Sequence, residues 1–504
     1  MISKLLVANR GEIALRVVRA CRELGIASVA VYSDADAHAP HVREADEAVH
    51  IGPAPAAQSY LVGERILEAA RRTGAEAVHP GYGFLSEREW FARAVRDAGL
   101  IWVGPPAEAI AAMGSKTAAR TLAVSAGVPV VPGTTSALRD ADDAREVAEE
   151  FGYPVLLKAA AGGGGKGMRV VRNADELAGA LASAQREALN AFGDDAVYVE
   201  KYIEGPRHVE IQILGDMHGT MLHLGERECS VQRRHQKMIE EAPSVAVSPE
   251  LRARMGATAV AAARAAGYVN AGTCEFLLDG QGNYYFLEMN TRIQVEHPVT
   301  ELVTGIDLVQ WQIRIAAGDR LPFVQELIVP RGWAIECRIT SEDFQNGFLP
   351  STGRITSLQI PSGPGVRWDG GIEVGSDVGL FYDPMLAKLI VHAGTRDAAI
   401  SRMHRALREL EIEGVETSRE FHLRMMEDEE FRRGDITIQW LEAKLPALSA
   451  IVPSVDDLRS AVIAAALMAD RDRNSVRSTA PGLAVAETST AWQRAARLEG
   501  LRTS

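Results

Sequence analysis

Residues 155–171 read VLLKAAAGGGGKGMRVV and place four consecutive glycines between two apolar runs. Gly162, Gly164 and Gly167 fit the spacing G-x-G-x-x-G of a dinucleotide-binding turn, but that turn must lead from a strand into a helix. The residues after Gly167 are MRVVRN, whose β-branched valines favour a second strand. A Walker A loop is excluded too, because Met168 stands where that loop needs a lysine. The stretch therefore predicts two strands joined by a glycine-rich tip.

This glycine tip has two interpretations. Each ordered glycine costs roughly 0.5–1 kcal/mol relative to alanine, so four in a row weaken an ordinary turn, and a mobile surface loop is the plainer choice. However, bare backbone N–H groups can close over an anion without obstruction by side chains, and Lys158 lies just upstream. The tip therefore predicts a flap that covers the phosphate groups of a ligand.

Composition and charge restrict the class of protein. The chain of 504 residues is long enough for several domains, and its apolar and charged fractions are those of a globular protein. A formal net charge of −13 opposes broad binding to nucleic acid or to anionic membranes, because both need a basic field. The cysteines are scattered with no C-x-x-C pair, which suits a reducing compartment and gives no metal-site spacing: Cys21, Cys229, Cys274 and Cys337.

The sequence shows no targeting signal. The N-terminus MISKLLVANRGE reaches charge too soon for a signal peptide, and no apolar run is long enough to span a bilayer. We therefore predict a cytoplasmic protein, or one whose targeting segment is absent.

The first residues predict the class of fold. KLLVANR is typical of a strand, GEIALRVVRACRELG of an amphipathic helix and ASVAVYS of a strand, which is the β-α-β start of a parallel sheet. No G-x-G-x-x-G turn stands at residues 8–13, so this sheet need not bind NAD. Strands dominate from 205 to 300 and from 331 to 395, and a helix is predicted at 396–411. The fold class is therefore α/β, or α+β over the whole chain, with a junction near residue 130.

The most informative stretch is CEFLLDGQGNYYFLEMNTRIQVEHP, which begins at Cys274. DGQGN is a turn between two apolar runs, so the stretch predicts an antiparallel hairpin. Folding this hairpin about Gln281 and Gly282 places Glu275 opposite Glu288. Facing carboxylates repel unless a cation lies between them, and Mg²⁺ takes one or two carboxylates together with substrate phosphates. The hairpin therefore predicts a metal site.

A row of alternating polar residues follows the hairpin: Asn290, Arg292, Gln294 and Glu296. In an extended chain these side chains point the same way as Glu288. The alternative is the solvent face of a half-buried strand, since the residues between them are mostly apolar. A guanidinium, an amide and a second carboxylate in one row suit a small planar anion with a base beside it, so we favour a functional role.

Four other motifs stay open on their own residues. QRRHQK, from Gln232 to Lys237, is dense in donors, but a basic run is usually a solvated face. Arg338, in ECRI, lies on a predicted strand, where a salt bridge is its usual role. HPGYGF, at 79–84, follows a strand end, where α/β sheets place ligands. GSKT around Lys116 resembles the end of a phosphate loop but lacks its order.

Together these motifs resemble those of biotin carboxylase, an ATP-grasp enzyme. The resemblance rests on NRGEIA, HPGYGFLSE, GGGGKGMR, EKYIEGPRHVEIQ, ERECSVQRRHQK, EMNTRIQVEHPVTE and ECRI, over residues 1 to about 445. It implies an ATP-grasp fold with an N-terminal doubly wound parallel-sheet domain, a small glycine-lid subdomain and a strand-rich C-terminal domain. The implied divisions are 1–114, 115–330 with a mobile lid at about 131–204, 331–446, and a helical tail at 447–504.

The resemblance also implies a site for ATP and for Mg²⁺ or Mn²⁺. The phosphate-binding groups would be Lys116, Lys158, Gly163, Gly164, Gly165, Lys166, Gly167 and Met168. The nucleoside would contact the adenine hinge of Glu200, Lys201 and Ile203, with Leu277, and with His208 near the ribose. The metal ligands would be Glu275 and Glu288, with Asn290 nearby.

For the other substrates, the resemblance implies the following roles. Bicarbonate would bind Lys237, Arg292, Gln294 and the Val295 backbone, and Glu296 would be the base that deprotonates it for attack on the γ-phosphate of ATP. The product, carboxyphosphate, would break down to CO₂ and phosphate, and phosphate would take the ureido proton of biotin. Arg338 would stabilise the biotin enolate. Biotin or the closed lid would contact Tyr82, Gly83, Gln232 and His235.

Biotin itself must arrive on another chain, because this sequence has no A-M-K-M-type biotinylation motif. The partners implied by the resemblance are a biotin carboxyl carrier protein and a carboxyltransferase subunit. A homodimer with Arg16 and Arg19 at its interface is implied too. The tail after residue 447 resembles the linker of acyl-CoA carboxylase α-chains. It is either a docking segment for those partners or a helix packed on the parent domain.

The overall reaction stays open at this point. We predict the first half-reaction of an acyl-CoA carboxylase of the acetyl- or propionyl-CoA type. The alternatives are a split pyruvate carboxylase, a different ATP-grasp ligase, and a catalytically silent scaffold. Neither alternative outside the biotin carboxylases explains why RIQVEHPVTE, QRRHQK and ECRI occur together with both hairpin carboxylates.

Overall fold

The β-α-β start of the chain builds a parallel sheet, as its sequence predicts. In the computed structural model, five parallel strands lie in the order β3-β2-β1-β4-β5. The strands are β1 (Lys4–Val7), β2 (Ala27–Ser33), β3 (Glu47–Gly52), β4 (Ala77–His79) and β5 (Ile101–Trp102). The helices of this part are α1 (Gly11–Glu23), α2 (Pro40–Glu44), α3 (Gly63–Thr73), α4 (Glu89–Asp97) and α5 (Ala107–Gly114). This doubly wound order reverses between β1 and β4, and ligands bind at such a switch point.

The structure describes residues 2–134, 138, 140–159, 168–192, 195–450 and 455–477. They belong to two compact units, Met1–Ser449 and Ala450–Ser504.

The predicted strand–loop–strand hairpin is confirmed. Its two strands, β6 (Val155–Ala159) and β7 (Met168–Val171), belong to a small antiparallel sheet with β8 (Val197–Lys201), in the order β7-β6-β8. Its apolar side packs on α7 (Ala141–Phe151) and α8 (Ala174–Phe192). No helix follows Met168 directly, so the Rossmann interpretation is excluded by the fold as well as by the sequence. The predicted phosphate-binding residues Gly163, Gly164, Gly165, Lys166 and Gly167 lie outside the described residues.

The largest sheet joins the middle of the chain to its C-terminal third. Its order is β13-β12-β9-β10-β11-β14-β21-β19, with antiparallel neighbours. The strands are β9 (Arg207–Gly215), β10 (Met221–Arg233), β11 (Gln236–Ala242), β12 (Asn270–Leu278), β13 (Tyr284–Asn290), β14 (Trp333–Thr340), β19 (Val366–Gly370) and β21 (Met385–Ala393). The predicted division at 330/331 therefore separates strands that share one sheet, and the four-domain scheme stays a sequence-based proposal.

Helices lie on both faces of this sheet. The apolar face carries α6 (Lys116–Ser125), α9 (Pro249–Ala265), α12 (Arg396–Glu409), α13 (Arg419–Glu427), α14 (Glu429–Arg433) and α15 (Trp440–Ser449), and the opposite face carries α10 (His297–Thr304) and α11 (Leu308–Ala316). Short pairs complete this unit: β15 (Glu342–Asp343) with β16 (Leu349–Pro350), β17 (Gly353–Arg354) with β20 (Asp377–Val378), and β18 (Ser357–Gln359) with β22 (Glu411–Glu413). Buried apolar side chains of β9 pack on α9, and those of β14 pack on α12 and α13.

The second unit contains one described helix, α16 (Val455–Arg477). Its described side chains are exposed, including the apolar residues Leu458, Val462, Ile463, Leu467 and Met468. Across the described parts of both units, we find no helix with the length and apolar character that crossing a membrane requires.

Candidate active site

The polar face of the large sheet forms the floor of the site. Successive side chains of a strand point to opposite faces of the sheet. On β9 the buried apolar residues Val209, Ile211 and Ile213 share one face, so the residues that alternate with them share the other. These are His208, Glu210 and Gln212, which are all buried. The same alternation along β11 and β14 presents Glu240, Glu336 and Arg338 on the polar face. The residues between them join the apolar core.

The carboxylate hairpin has the predicted pairing of Glu275 with Glu288, although the strands beside the turn pair one residue away from the predicted register. Glu275 on β12 pairs directly with Glu288 on β13, and a register shift lies immediately beyond, before Phe276. The Asn290 amide donates to Glu275 Oε1 at 2.9 Å. His208 Nε2 lies 3.2 Å from Glu275 Oε2. Burial lowers the pKa of His208, but the Glu275 charge outweighs it and raises that pKa to about 9. The hairpin therefore brings oxygen ligands together beside a protonated histidine.

The polar row that follows the hairpin is not extended, so the extended conformation assumed from the sequence is wrong. Strand β13 ends at Asn290, and Glu296 stands immediately before α10 with φ −80° and ψ 12°. Pro298, in the first turn of α10, favours this helix start. The side chains nevertheless converge, because the Gln294 amide donates to Glu275 Oε1 at 2.8 Å. The solvent-face alternative is wrong as well, since Asn290, Gln294 and Glu296 are buried.

Lys237, on β11, is the electrostatic centre of the site. Its Nζ donates to Glu210 (2.6 Å), Glu275 (3.0 Å) and Glu296 (2.7 Å). Burial by itself lowers the pKa of a lysine, but these three carboxylates raise the pKa of Lys237 well above its usual value. Burial raises the pKa of each carboxylate, yet the ammonium holds all three below their usual value. At neutral pH one ammonium therefore lies among three anions.

Arg338 holds the other side of Glu296. Its Nη2 donates to Glu296 Oε2 at 3.0 Å, and its Nε donates to Glu240 Oε1 at 2.6 Å. Glu240 pairs across the sheet with Glu336, and both are buried. Burial raises the pKa of Glu240 to about 7 against the lowering effect of Arg338, and it raises the pKa of Glu336 well above its usual value. Glu296 is thus an anion fixed at both oxygens by cations from two different strands.

The sequence analysis missed Arg227, which organises the floor of the site. Its side chain is fully buried on β10, and all five of its donor hydrogens are engaged. The acceptors are Glu210 (2.6 Å), Gln212 (2.6 Å), Thr300 (3.0 Å), Thr273 (3.0 Å) and Gln294 (2.9 Å). Arg227 therefore fixes one carboxylate next to Lys237 and one amide of the polar row. Alternation of polar residues along HVEIQ is the signal that could have found its partners on β9.

Arg292 is held from the N-terminal sheet. Its Nε donates to Glu87 at 3.0 Å, and its Nη2 donates to the Asn290 side-chain oxygen at 3.0 Å. Glu87 follows the GYGF loop and also accepts from the Thr291 backbone at 3.1 Å. The loop from β4 therefore orients the guanidinium, a role that the sequence analysis did not assign to Glu87.

The GYGF loop itself is anchored at the switch point of the parallel sheet. Asn9, after β1, donates to the carbonyls of Pro80 and Tyr82, both at 2.7 Å. Gly81 has φ +63°, and a Cβ there would lie 2.9 Å from the Asn9 amide nitrogen, so a larger residue does not fit. Tyr82 donates through its hydroxyl to Glu12, while Gly83 is exposed. Tyr82 and Gly83, two of the residues predicted to contact biotin or the closed lid, therefore lie at the point where such sheets bind ligands.

The predicted nucleotide residues lie on the lid sheet and its connection to the large sheet. Lys158 Nζ donates to Glu200 across β6 and β8, and Lys201 Nζ donates to the Gly152 carbonyl at 2.7 Å. Ile203 lies between β8 and β9, and Leu277 pairs with His208. Lys116 begins α6, but its side chain lies outside the described part of the structure. Met168 begins β7.

Two further predicted residues lie at the hairpin between β10 and β11. Gln232 pairs with Lys237 in the ladder and donates to the Cys229 carbonyl at 3.3 Å. His235 is exposed in the tight turn with Arg234, and both have positive φ, as a two-residue hairpin turn requires. The Val295 carbonyl accepts from Lys388 at 2.9 Å.

Three family descriptions match consecutive parts of the chain. Residues 1–110 match the biotin carboxylase N-terminal domain, residues 115–324 the carbamoyl-phosphate synthase L chain ATP binding domain, and residues 336–443 the biotin carboxylase C-terminal domain. The fold and these matches define an ATP-grasp enzyme.

Curated relatives narrow the family. Biotin carboxylase 1 of Bacillus subtilis is 52% identical over 443 residues, which are 88% of this chain and 98% of the relative. A pyruvate carboxylase subunit of Methanothermobacter thermautotrophicus is 54% identical over 442 residues, 88% of this chain and 90% of the relative. The propionyl-CoA carboxylase alpha chain of Ruegeria pomeroyi is 49% identical over 489 residues, 93% of this chain and 72% of the relative.

A solved structure agrees with these relatives. The biotin carboxylase domain dimer of Hydrogenobacter thermophilus 2-oxoglutarate carboxylase, in complex with MgADP, ADP and bicarbonate, is 49% identical to this chain. It matches with a TM-score of 0.82 and covers 90% of this chain and 99% of that one. The chain therefore belongs to the biotin carboxylase family and is an ATP-dependent ligase of that family.

Proposed function

We propose that this chain carboxylates biotin on a separate carrier protein, with ATP and bicarbonate as co-substrates, as the first half-reaction of an acyl-CoA carboxylase. One observation carries the proposal: Glu296 is a buried anion held between Lys237 and Arg338, beside the Glu275–Glu288 hairpin. A base, two cations and a metal ligand pair are the groups that bicarbonate activation by ATP needs.

In the proposed bicarbonate step, Lys237, Arg292, Gln294 and the Val295 backbone bind the anion. Glu296 is deprotonated at neutral pH because Lys237 holds its pKa below the usual value, so it can accept the bicarbonate proton. The anion then attacks the γ-phosphorus of ATP, the bond to the β-phosphate oxygen breaks, and carboxyphosphate and ADP result. Lys237 and Arg338 keep the Glu296 carboxylate oriented throughout.

In the proposed biotin step, carboxyphosphate releases CO₂ and phosphate. The phosphate takes the ureido proton of biotin, and the biotin nitrogen attacks the carbon of CO₂. The Arg338 guanidinium, charged because the neighbouring carboxylates outweigh its burial and raise its pKa, stabilises the enolate oxygen. Tyr82, Gly83, Gln232 and His235 contact biotin or the closed lid.

The proposed ATP site uses Lys116, Lys158, the glycine tip and the hinge at Glu200, Lys201 and Ile203. The residues of the hairpin fit Mg²⁺, because Glu275 and Glu288 face each other across the two strands and carboxylates are the hard oxygen donors that Mg²⁺ takes. Mg²⁺ or Mn²⁺ bound there supplies positive charge to the phosphate oxygens.

The acyl-CoA assignment is supported by the tail. A match that covers 93% of a 504-residue chain is longer than the 449 residues of the first unit, so it must include part of the second unit. That match is the propionyl-CoA carboxylase alpha chain, whereas the pyruvate carboxylase relative covers 88%. A component of a split pyruvate carboxylase is the second candidate, on the strength of its 54% identity.

We further propose that α16 docks a carrier protein or a carboxyltransferase subunit. The apolar side chains of α16 are exposed among the described residues, which suits a partner contact. Removal of residues 450–504 should abolish co-purification with the carrier protein and the carboxyltransferase subunit; unchanged co-purification contradicts the docking role.

The chain also forms a homodimer in this proposal, as its solved relative does. Of the two arginines proposed for the dimer interface, Arg19 is exposed on α1, while Arg16 is held by Glu301 (3.0 Å) and Asp307 (2.7 Å). The cytoplasmic location stays a prediction.

The proposed half-reaction is tested with Glu296→Gln, which keeps size and removes the base. We expect ADP formation in the presence of ATP, Mg²⁺, bicarbonate and biotin to fall at least 100-fold, with nucleotide binding retained. Glu427→Gln is the matched control, because Glu427 pairs with His404 at 2.9 Å on the exposed surface. Near-normal turnover of Glu296→Gln contradicts the role of Glu296 as the base.

A further inference from the structure

Lys388 is a fully buried lysine on β21 that the reaction scheme above does not use. It pairs across the sheet with Arg338, so both side chains lie on the polar face. Its Nζ donates to the Val295 carbonyl at 2.9 Å and lies 3.2 Å from Glu12 Oε1. A charged amine that has lost all contact with water needs such partners.

Glu12 extends this contact to the loop after β4. It lies on α1, is buried, and its Oε1 also accepts from the Tyr82 hydroxyl, while its Oε2 has no hydrogen-bond partner among the described residues. Lys388 is therefore the one ammonium within reach of both Glu12 and Val295 in the described structure. It connects three parts of the chain that are distant in sequence.

The Val295 carbonyl has a direct link to Glu296. The carbonyl of one residue and the N–H of the next belong to a single planar peptide group. A hydrogen bond to the Val295 oxygen therefore restricts the orientation of the peptide group that leads into Glu296. Lys388 donates to this peptide group, while Lys237 and Arg338 hold the carboxylate itself.

We propose that Lys388 is a positioning residue that holds the Val295–Glu296 peptide and, through Glu12, the Tyr82 side chain in one relative placement. The inference rests on the proposed function, in which Val295 and Glu296 serve bicarbonate and Tyr82 serves biotin. Lys388 touches no substrate in this scheme and acts through the residues that do.

Lys388→Met tests the proposal, because methionine keeps the length of the side chain and removes the donor. Loss of a charge-assisted hydrogen bond to the peptide should raise the KM for bicarbonate about 10-fold. The KM for ATP should stay within about twofold, because the nucleotide residues lie on other elements. A variant that is only less stable should not raise the KM for bicarbonate while leaving the KM for ATP unchanged.

The double variant Glu12→Gln/Lys388→Met separates positioning from charge compensation. It removes the Glu12 carboxylate together with the ammonium beside it, so the thermal midpoint lost in Lys388→Met should return while the KM for bicarbonate stays high. Recovery of both quantities overturns the proposal, because Lys388 would then serve only as the counter-charge of Glu12. An unchanged KM in Lys388→Met overturns it too. If the single variant does not fold, the KM of the double variant decides.

The control is Lys444→Met, since Lys444 pairs with Asp428 (2.9 Å) and Glu430 (3.0 Å) outside the site. Its KM for bicarbonate should equal that of the wild type. Absence of bicarbonate-dependent ADP formation in the wild type itself contradicts the proposed function instead, and is thereby distinguished from failure of the Lys388 proposal.

Discussion

Replacement of Arg227 by methionine should be strongly destabilising, although Arg227 contacts no proposed substrate. Its guanidinium makes five hydrogen bonds, and its side chain is fully buried. The substitution leaves Glu210 with Lys237 at 2.6 Å but without the arginine, and it leaves Gln294 without a donor to its oxygen. Breaking a buried ion pair on one side costs about 3–5 kcal/mol.

This free energy corresponds to a fall in thermal midpoint of roughly 3–5 °C for a unit of 449 residues, at about 1 °C per kcal/mol. Differential scanning calorimetry of the full chain measures it. Arg227→Lys should fall between wild type and Arg227→Met, because lysine keeps the charge but offers three donors in place of the planar fork.

Arg405→Met is the matched control. Arg405 pairs with Glu409 at 2.7 Å one turn along α12, and both side chains are more than 40% exposed. Such a pair contributes about 0.3–0.5 kcal/mol, so the midpoint of the control variant should move by about 0.5 °C at most. If Arg227→Met loses no more than Arg405→Met, the five-bond network does not stabilise the floor of the site, and the reasoning is wrong.

Three further predictions concern the site. Arg338→Ala and Glu296→Ala should each cut biotin-dependent ADP formation by at least about 100-fold while a fluorescent nucleotide still binds, and near-normal turnover in either removes the proposed role of that residue. Glu87→Gln should raise the KM for bicarbonate several-fold, because it removes the charged partner of Arg292; an unchanged KM shows that Asn290 alone orients the guanidinium. Folding raises the pKa of Glu336 above its ordinary value of 4.5, mainly through burial, so the folded state binds the extra proton and its stability falls as pH rises above that value. Thermal midpoints between pH 5 and 8 should therefore favour Glu336→Gln over the wild type by a margin that grows with pH, and a constant margin contradicts this.

Local sequence patterns predicted those parts of the site that depend on neighbours in the chain. The turn predicts the hairpin, but the pairs beside it centre on Gln281, and a one-residue register shift between Glu275 and Phe276 is what places Glu275 opposite Glu288. The strand after the glycine tip followed from the valines of MRVV. The predicted parallel sheet and the predicted position of Arg338 on a strand are confirmed for the same reason.

Contacts between distant segments could not be predicted in this way. Nothing in the spacing of QRRHQK shows that Lys237 meets carboxylates from three other elements. Lys388 and Glu12 are separated by most of the chain, and their contact depends on how β21 lies against α1. The prediction that the polar row is extended was wrong, because β13 ends at Asn290 and helix α10 begins at His297. Tertiary packing rather than strand alternation brings Gln294 to Glu275.

The central claim is that this chain activates bicarbonate with ATP and transfers the resulting carboxyl group to biotin. The most direct measurement is ADP release from the purified protein with ATP, Mg²⁺ and bicarbonate, with and without free biotin. We predict a bicarbonate-dependent rate that rises when biotin is added. No rise with free biotin, followed by none with a biotinylated carrier protein, contradicts the claim.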